Sequence, residues 1–216
     1  SFASSMLPLR GGKGRQWEGG LRVPYYIQAP DLVEAGSNCD LPVSGIDFYP
    51  TLLELADIPI PTKQVIDGES LVSVLRDEDS SSLKNRDLFW HYPHYGNQGG
   101  EPSSVIRSRN WKLIHYYEDR RDELYDLSVD QGEQNDLADL YTDKTMQMSQ
   151  RLNEWLRLTR AKLPESDPEY RLEKEKDRLA QLEHELMPQL ESQHAQYLDA
   201  NWQPNADWWG SLTTID

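Results

Sequence analysis

The chain holds a single cysteine, Cys39, among 216 residues. One thiol excludes an internal disulfide and leaves the redox compartment open. There is no apolar run of about eighteen residues, so no membrane-spanning helix is expected. Basic residues are scarce: 22 Lys and Arg stand against 37 Asp and Glu, a formal net charge of −15. A nucleic-acid binder shows a basic surface, so the balance argues against that class. Long-range capture of an anionic polymer is also disfavoured, and any anion site has to be a local basic island. The opening Ser1–Met6 lacks the charged and apolar regions of a signal peptide. No Cys/His cluster or carboxylate set has metal-ligand spacing, so no complete metal site is expected in this chain.

What is present is one basic island, Leu9 to Pro24, which reads L-R-G-G-K-G-R-Q-W-E-G-G-L-R-V-P. Its glycines allow sharp turns and close approach to a ligand. Arg10, Lys13, Arg15 and Arg22 supply positive charge around one acid, Glu18. A lysine between two glycines is little shielded, so Lys13 can present its ammonium to an oxyanion as a point charge. Tyr25-Tyr26-Ile27 then reads as the start of a buried strand.

The segment G-K-G-x-x-x-E-G-G-x-R-V-P resembles the second signature of the type I sulfatases, within the alkaline-phosphatase-like superfamily. Further stretches resemble that family in the same order: Val43-Ser44 through Leu53, Asp67 to Leu71, Trp111 to Ile114, Glu123 to Leu127, and Glu133 to Leu137. Asp136 departs from the family's last spacer. The resemblance covers about residues 9 to 160. It implies hydrolysis of a sulfate ester, with Lys13 contacting the sulfate. It also implies a formylglycine nucleophile and calcium in the full-length parent. Cys39 is followed by Asp-Leu-Pro-Val and does not fit the Cys/Ser-x-Pro/Ala-x-Arg motif that gives formylglycine. The chain is therefore expected to be the C-terminal portion of a sulfatase. No cofactor is expected in it alone, and no turnover without the missing N-terminal portion. A periplasmic, extracellular or lysosome-like compartment follows from the same likeness.

The expected fold class is α/β, or α+β within the fragment. Residues 1–85 would be the end of the sulfatase α/β core, a remnant of its large sheet with packing helices. A capping box of Ser44 and Asp47 opens a helix there, with Tyr49, Leu52, Leu53 and Ala56 on one apolar face. Residues 86–164 would form a small antiparallel sheet. Leu88 to Tyr92 is one strand, and Val105–Arg107 and Trp111–Tyr116 flank a hairpin turn with Asn110 suited to positive φ. A helix from Thr142 to about Leu163, with Met148, Leu152, Trp155 and Thr159 on one stripe, would cover it. Residues 165–216 form a charged helical tail interrupted by Pro188, with no functional reading.

Lys13 is the candidate catalytic residue, holding a sulfate oxygen and offsetting charge on the leaving oxygen. His94, His91 and Arg10 are candidates for substrate binding, because aromatics beside histidines suit the apolar faces and hydroxyls of sugars. The plainer alternative for the histidines is packing. Glu18 and Arg22 are expected to pair and order the loop. Asp47 reads as a helix cap rather than an acid catalyst. His115, His184 and His194 read as surface or packing residues. Trp202, Trp208 and Trp209 read as tail aromatics docked onto the fold. The expected partner is a sulfated carbohydrate or another sulfate ester. Two rivals stand beside this reading: a phosphate or phosphonate ester hydrolase of the same superfamily, and a non-enzymatic interaction module.

Overall fold

Four strands form an antiparallel sheet in sequential order. They are β1 (Asp87–Tyr92), β2 (Ser103–Ser108), β3 (Trp111–Tyr116) and β4 (Asp122–Asp126). The helices, in chain order, are α1 (Glu18–Leu21), α2 (Phe48–Leu55), α3 (Val72–Leu75), α4 (Ser81–Asn85), α5 (Thr142–Thr159), α6 (Leu172–Gln181) and α7 (Met187–Tyr197). The structure is a computed structural model that describes residues 6–30, 32–76, 81–96, 100–197 and 199–203. It divides into two units, Met6–Pro164 and the part described of residues 165–216.

The sheet is covered on both faces because its side chains alternate. On one face Ile106, Leu113 and Leu124 pack against Met148, Leu152 and Leu156 of α5. Phe89 stacks flat on Trp155 there, with ring centroids 4.8 Å apart. The expected stripe of α5 is rotated: Leu156 is buried, while Thr159 turns its hydroxyl to the Trp155 carbonyl. The helix stops at Arg160, which takes a left-handed φ of 53°. On the other face lie Val105, Ile114, Tyr116, Tyr125 and Leu127, covered by Trp17 and Leu21. The glycine-rich island is thus bound to the back of the sheet. The β2–β3 hairpin forms as expected, but the left-handed residue is Arg109 (φ 54°) rather than Asn110.

The amino-terminal stretch differs from expectation. No strand forms at Tyr25–Ile27, and Tyr26 is 89% exposed. A strand needs a neighbour to complete its ladder, and among the described residues none lies beside it. The remnant of a large sheet is therefore not formed here, although the mixed α/β class holds. The helix of residues 48–55 forms, but it buries Pro50 and Thr51 and leaves Leu52 61% exposed.

Asp47 is the cap that its position suggests. Its carboxylate accepts from the Ser44 and Glu69 amides at 2.8 and 3.0 Å, and from both terminal nitrogens of Arg86. Burial alone would raise its pKa; Arg86 and the two amides hold it below the usual carboxylate value instead.

In the second unit, α6 and α7 join through a π turn at Leu182–Leu186. Pro188 does not end the helix. It sits inside α7, where the wider π turn accommodates the hydrogen bond a proline cannot make. Leu172, Leu179 and Leu186 are exposed. Trp208, Trp209 and the side chain of His194 lie outside the described residues.

Candidate functional site

Lys13 stands at the corner of a tight turn. The Arg15 amide donates to the Gly12 carbonyl at 3.0 Å, and Gly14 takes φ +87°. Only glycine adopts that φ without strain. The turn is fixed to the back of the sheet by side chains on both sides of the lysine. Arg10 donates to the Tyr125 hydroxyl at 3.1 Å and the Glu133 carbonyl at 3.0 Å, with its guanidinium 4.0 Å from the Trp17 ring centre. Gln16 donates to the Tyr116 hydroxyl at 2.9 Å, and Trp17 to Glu123 at 3.3 Å. Just beyond, α1 crosses so close that a Cβ on Gly20 would lie 2.0 Å from the Arg15 carbonyl oxygen. Arg10, expected at the substrate, is a clamp on the loop.

Glu18 anchors this assembly, though not through Arg22. Its carboxylate pairs with Lys112 and Arg107, each at 3.1 Å. Its amide donates to Glu133 at 2.6 Å, and Lys112 lies 2.7 Å from the other Glu133 oxygen. Lys112 and Glu133 are fully buried. Arg22 is linked to Glu18 by its backbone amide only, and its charge helps to lower the pKa of Arg107, after burial. The expected Glu18–Arg22 ion pair is thus replaced, because the sheet offers two cations on the face α1 covers. Burial pushes the Glu133 carboxyl above its usual pKa in spite of Lys112.

Lys112, Arg107 and Glu133 were not foreseen as a unit. Strand alternation carried a signal: Lys112 shares its face with Ile114 and Tyr116, both core residues. A charge in that row has to be paired. Asp136, the departure from the family spacer, accepts from the Leu124 and Ala138 amides, both at 2.9 Å, and so ties the segment after Glu133 to β4.

His91 and His94 separate into different roles. His91 lies 2.9 Å from the Lys162 carbonyl oxygen through Nε2, which must carry the proton. Its Nδ1 then accepts from Ser104 at 2.7 Å, and Tyr117 donates to Ser104 at 2.7 Å. Both ring nitrogens of His91 are thereby committed to holding the end of the α5 segment on the sheet. His115 is paired likewise, with Asp122 at 2.7 Å. His94 is exposed and meets only the edge of Tyr92, 5.5 Å between centroids.

His94 and Lys13 come to the same end of the sheet. The carbonyl oxygen of Gly14 lies 2.3 Å from where a Cβ on Gly100 would be, and 3.6 Å from one on Gly96. Gly96 and Gly100 are joined by a 2.8 Å backbone bond, two residues past His94 at their nearer end. The lysine turn therefore abuts the base of the His94 loop. Among the described residues neither Lys13 nor His94 has a hydrogen-bond or ion-pair partner. The arrangement offers an ammonium and an imidazole to an anionic ligand. Among the described residues no cluster of three or more His, Cys, Asp or Glu could hold a metal ion. The buried carboxylates Glu18, Asp47 and Glu133 are spent on cations and amides, so the calcium implied by the resemblance finds no fitting donor set here.

A sheet of this topology, a single covering helix and a lysine turn fixed beneath them define the C-terminal portion of a sulfatase of the alkaline-phosphatase-like superfamily. The chain belongs to the family described as N-sulphoglucosamine sulphohydrolase, C-terminal, whose sequence model matches residues 13–162. It is 42% identical to a sulfatase of Formosa agariphila over 159 residues, which is 69% of this chain and 29% of that protein. It is 31% identical to the N-acetylglucosamine-6-O-sulfatase of Bacteroides thetaiotaomicron over 153 residues, 68% of this chain and 26% of that one. Among solved structures, Ps i-CgsB in complex with k-i-k-neocarrahexaose superposes with a TM-score of 0.60 at 26% identity, covering 69% of this chain and 32% of that one. The chain thus spans under a third of each of these relatives.

Proposed function

We propose that this chain is the part of a carbohydrate sulfatase that supplies a sulfate-holding lysine, Lys13, and one wall of the substrate pocket. The observation that carries this is the uncommitted ammonium of Lys13 on a turn clamped from both sides and set against the His94 loop. Homologues that are sulfatases, one of them an N-acetylglucosamine-6-O-sulfatase, support the reaction class and the sugar. The overall reaction is ROSO3⁻ + H2O → ROH + SO4²⁻ + H⁺. Lys13 holds a sulfate oxygen and offsets the charge that grows on the leaving oxygen. His94 contacts the sugar beside it. The clamp formed by Arg10, Gln16 and Glu18 keeps the ammonium in place before substrate arrives, so little reorganisation is needed at the transition state. No step is assigned to calcium or formylglycine, for which the described residues offer no site.

The test is kinetic, on the full-length protein that contains this chain. Lys13→Ala should lower kcat by about 10²–10³ on a sulfated sugar, the size of loss seen when one oxyanion partner is removed. Lys13→Arg should recover part of it. An unchanged kcat in Lys13→Ala would refute the role. Faster turnover of the matching phosphate ester would move the protein to the rival hydrolase class. The isolated 216-residue chain should show no turnover, and measurable hydrolysis by it would refute that part of the reading.

A further inference from the structure

The other end of the sheet carries a second concentration of positive charge. A cavity of about 390 Å³ lies between the β2–β3 turn and α5, lined among others by Arg109, Trp111, Asp126, Lys144, Gln147 and Arg151. Three cations against one carboxylate stand out on a chain whose net charge is −15. Among the described residues Arg151 pairs with a carboxylate, Asp87, and the other two cations do not. Arg109 donates to Asn85 at 2.6 Å, a neutral partner, and its charge is left uncompensated. Lys144 sits 5.5 Å above the Trp111 ring and, among the described residues, has no carboxylate partner.

Arg109 holds the left-handed place of the β2–β3 turn, with a φ of 54° that Arg120 and Arg160 also approach elsewhere in the chain. Trp111, half-buried and flanked by Tyr141 at 5.4 Å, adds an apolar wall, and Gln147 adds a neutral hydrogen-bonding group. Cation, aromatic wall and amide together match a charged sugar, which has an anionic substituent, an apolar C–H face and hydroxyls.

We infer that this cavity is a second binding site, distinct from Lys13, for an anionic saccharide carrying sulfate or carboxylate. The β2 strand separates the two sites: its ends are roughly 17 Å apart by strand rise. A polymer held here would keep the protein on its substrate between encounters at the Lys13 end.

Calorimetric titration of the full chain tests this with three probes: an oligosaccharide of 6-O-sulfated N-acetylglucosamine, an unsulfated oligogalacturonate, and neutral chitotetraose. Binding of at least one charged probe is expected, and none of chitotetraose. Arg109→Gly combined with Lys144→Gln should weaken the charged probe at least tenfold. Glycine suits the left-handed turn, so this variant keeps the fold. Lys144→Arg should bind as the parent does, and Lys13→Ala should leave this binding intact. The proposal is overturned if neither charged probe binds, if chitotetraose binds equally well, or if the double variant binds unchanged. Loss of the binding in Lys13→Ala instead would place the ligand at the other end and overturn it too. Because binding and not turnover is read, failure here leaves the Lys13 reading standing.

Discussion

Residues 87–164 and residues 22–76 have comparable stocks of apolar side chains and use them differently. In the first stretch Ile106, Leu113, Leu124 and Leu152 are buried to 1% or less, between strands and α5. In the second, Val23, Tyr26, Leu52, Leu55, Ile58 and Val65 all stand exposed. The first region closes one face of its sheet with its own helix α5 and the other with Trp17 and Leu21 of the glycine-rich island. The second is tied down where Asp47, Arg86, Ser44 and Glu69 meet and where Leu71 and Val72 are buried, and much of its other apolar surface is open. Burial and not composition decides which stretch is stable, since an exposed leucine adds almost nothing to folding.

The contrast can be broken most forcefully at Lys112. Lys112→Met leaves Glu133 buried without its cation and Glu18 with Arg107 alone, and should cost about 3–5 kcal/mol in urea unfolding followed at the sheet. A loss below 1 kcal/mol would mean the charges are not confined as described. A paired substitution comes next. Leu152→Ala should cost about 2–5 kcal/mol through the cavity it leaves. Leu52→Ala, with the same chemistry on an exposed site, should stay within about 0.5 kcal/mol in this chain. Equal costs would erase the distinction between the regions.

Acid offers the smallest and most discriminating effect. The Asp47 pKa is depressed in the fold, so its stabilisation is present above the unfolded value of about 3.9 and is lost as pH falls through the lower folded value. The Glu133 pKa is raised, so its contribution has the opposite sign: it is full below about 4.3 and declines as pH rises through the folded value. The protection factors between pH 5 and 3, which remove the intrinsic pH dependence of exchange, should therefore fall at the Ser44 and Glu69 amides and not at the Glu18 amide. The same trend at all three would refute the opposed shifts.

Much of this was legible in the sequence. Alternation exposed the strands around Val105 and Trp111, helical spacing exposed α5, and the Ser44–Asp47 spacing exposed the cap. The order of motifs gave the family and pointed to Lys13. Three things were not legible, each for a physical reason. Tyr25–Ile27 has strand composition, but pairing is a property of two segments. The partners of Glu18 lie 89 and 94 residues away, so proximity in sequence favoured Arg22 wrongly. His91 and His94 share an aromatic context, and only tertiary placement against Ser104 and Lys162 separates a packing histidine from a free one.

The bond between the Glu18 amide and Glu133 spans 115 residues. At a synthesis rate of about 5–20 residues per second, Glu133 leaves the ribosome roughly 6–23 s after Glu18 does. Strands β2, β3 and β4 emerge within that interval, and the buried carboxylate that accepts from the Glu18 amide comes last. The support of the lysine turn is thus complete only after Glu133 has followed the strands. A nascent chain stopped before Glu133 carries Lys13 and its clamps to Tyr116, Glu123 and Tyr125, but lacks the carboxylate that accepts from the Glu18 amide.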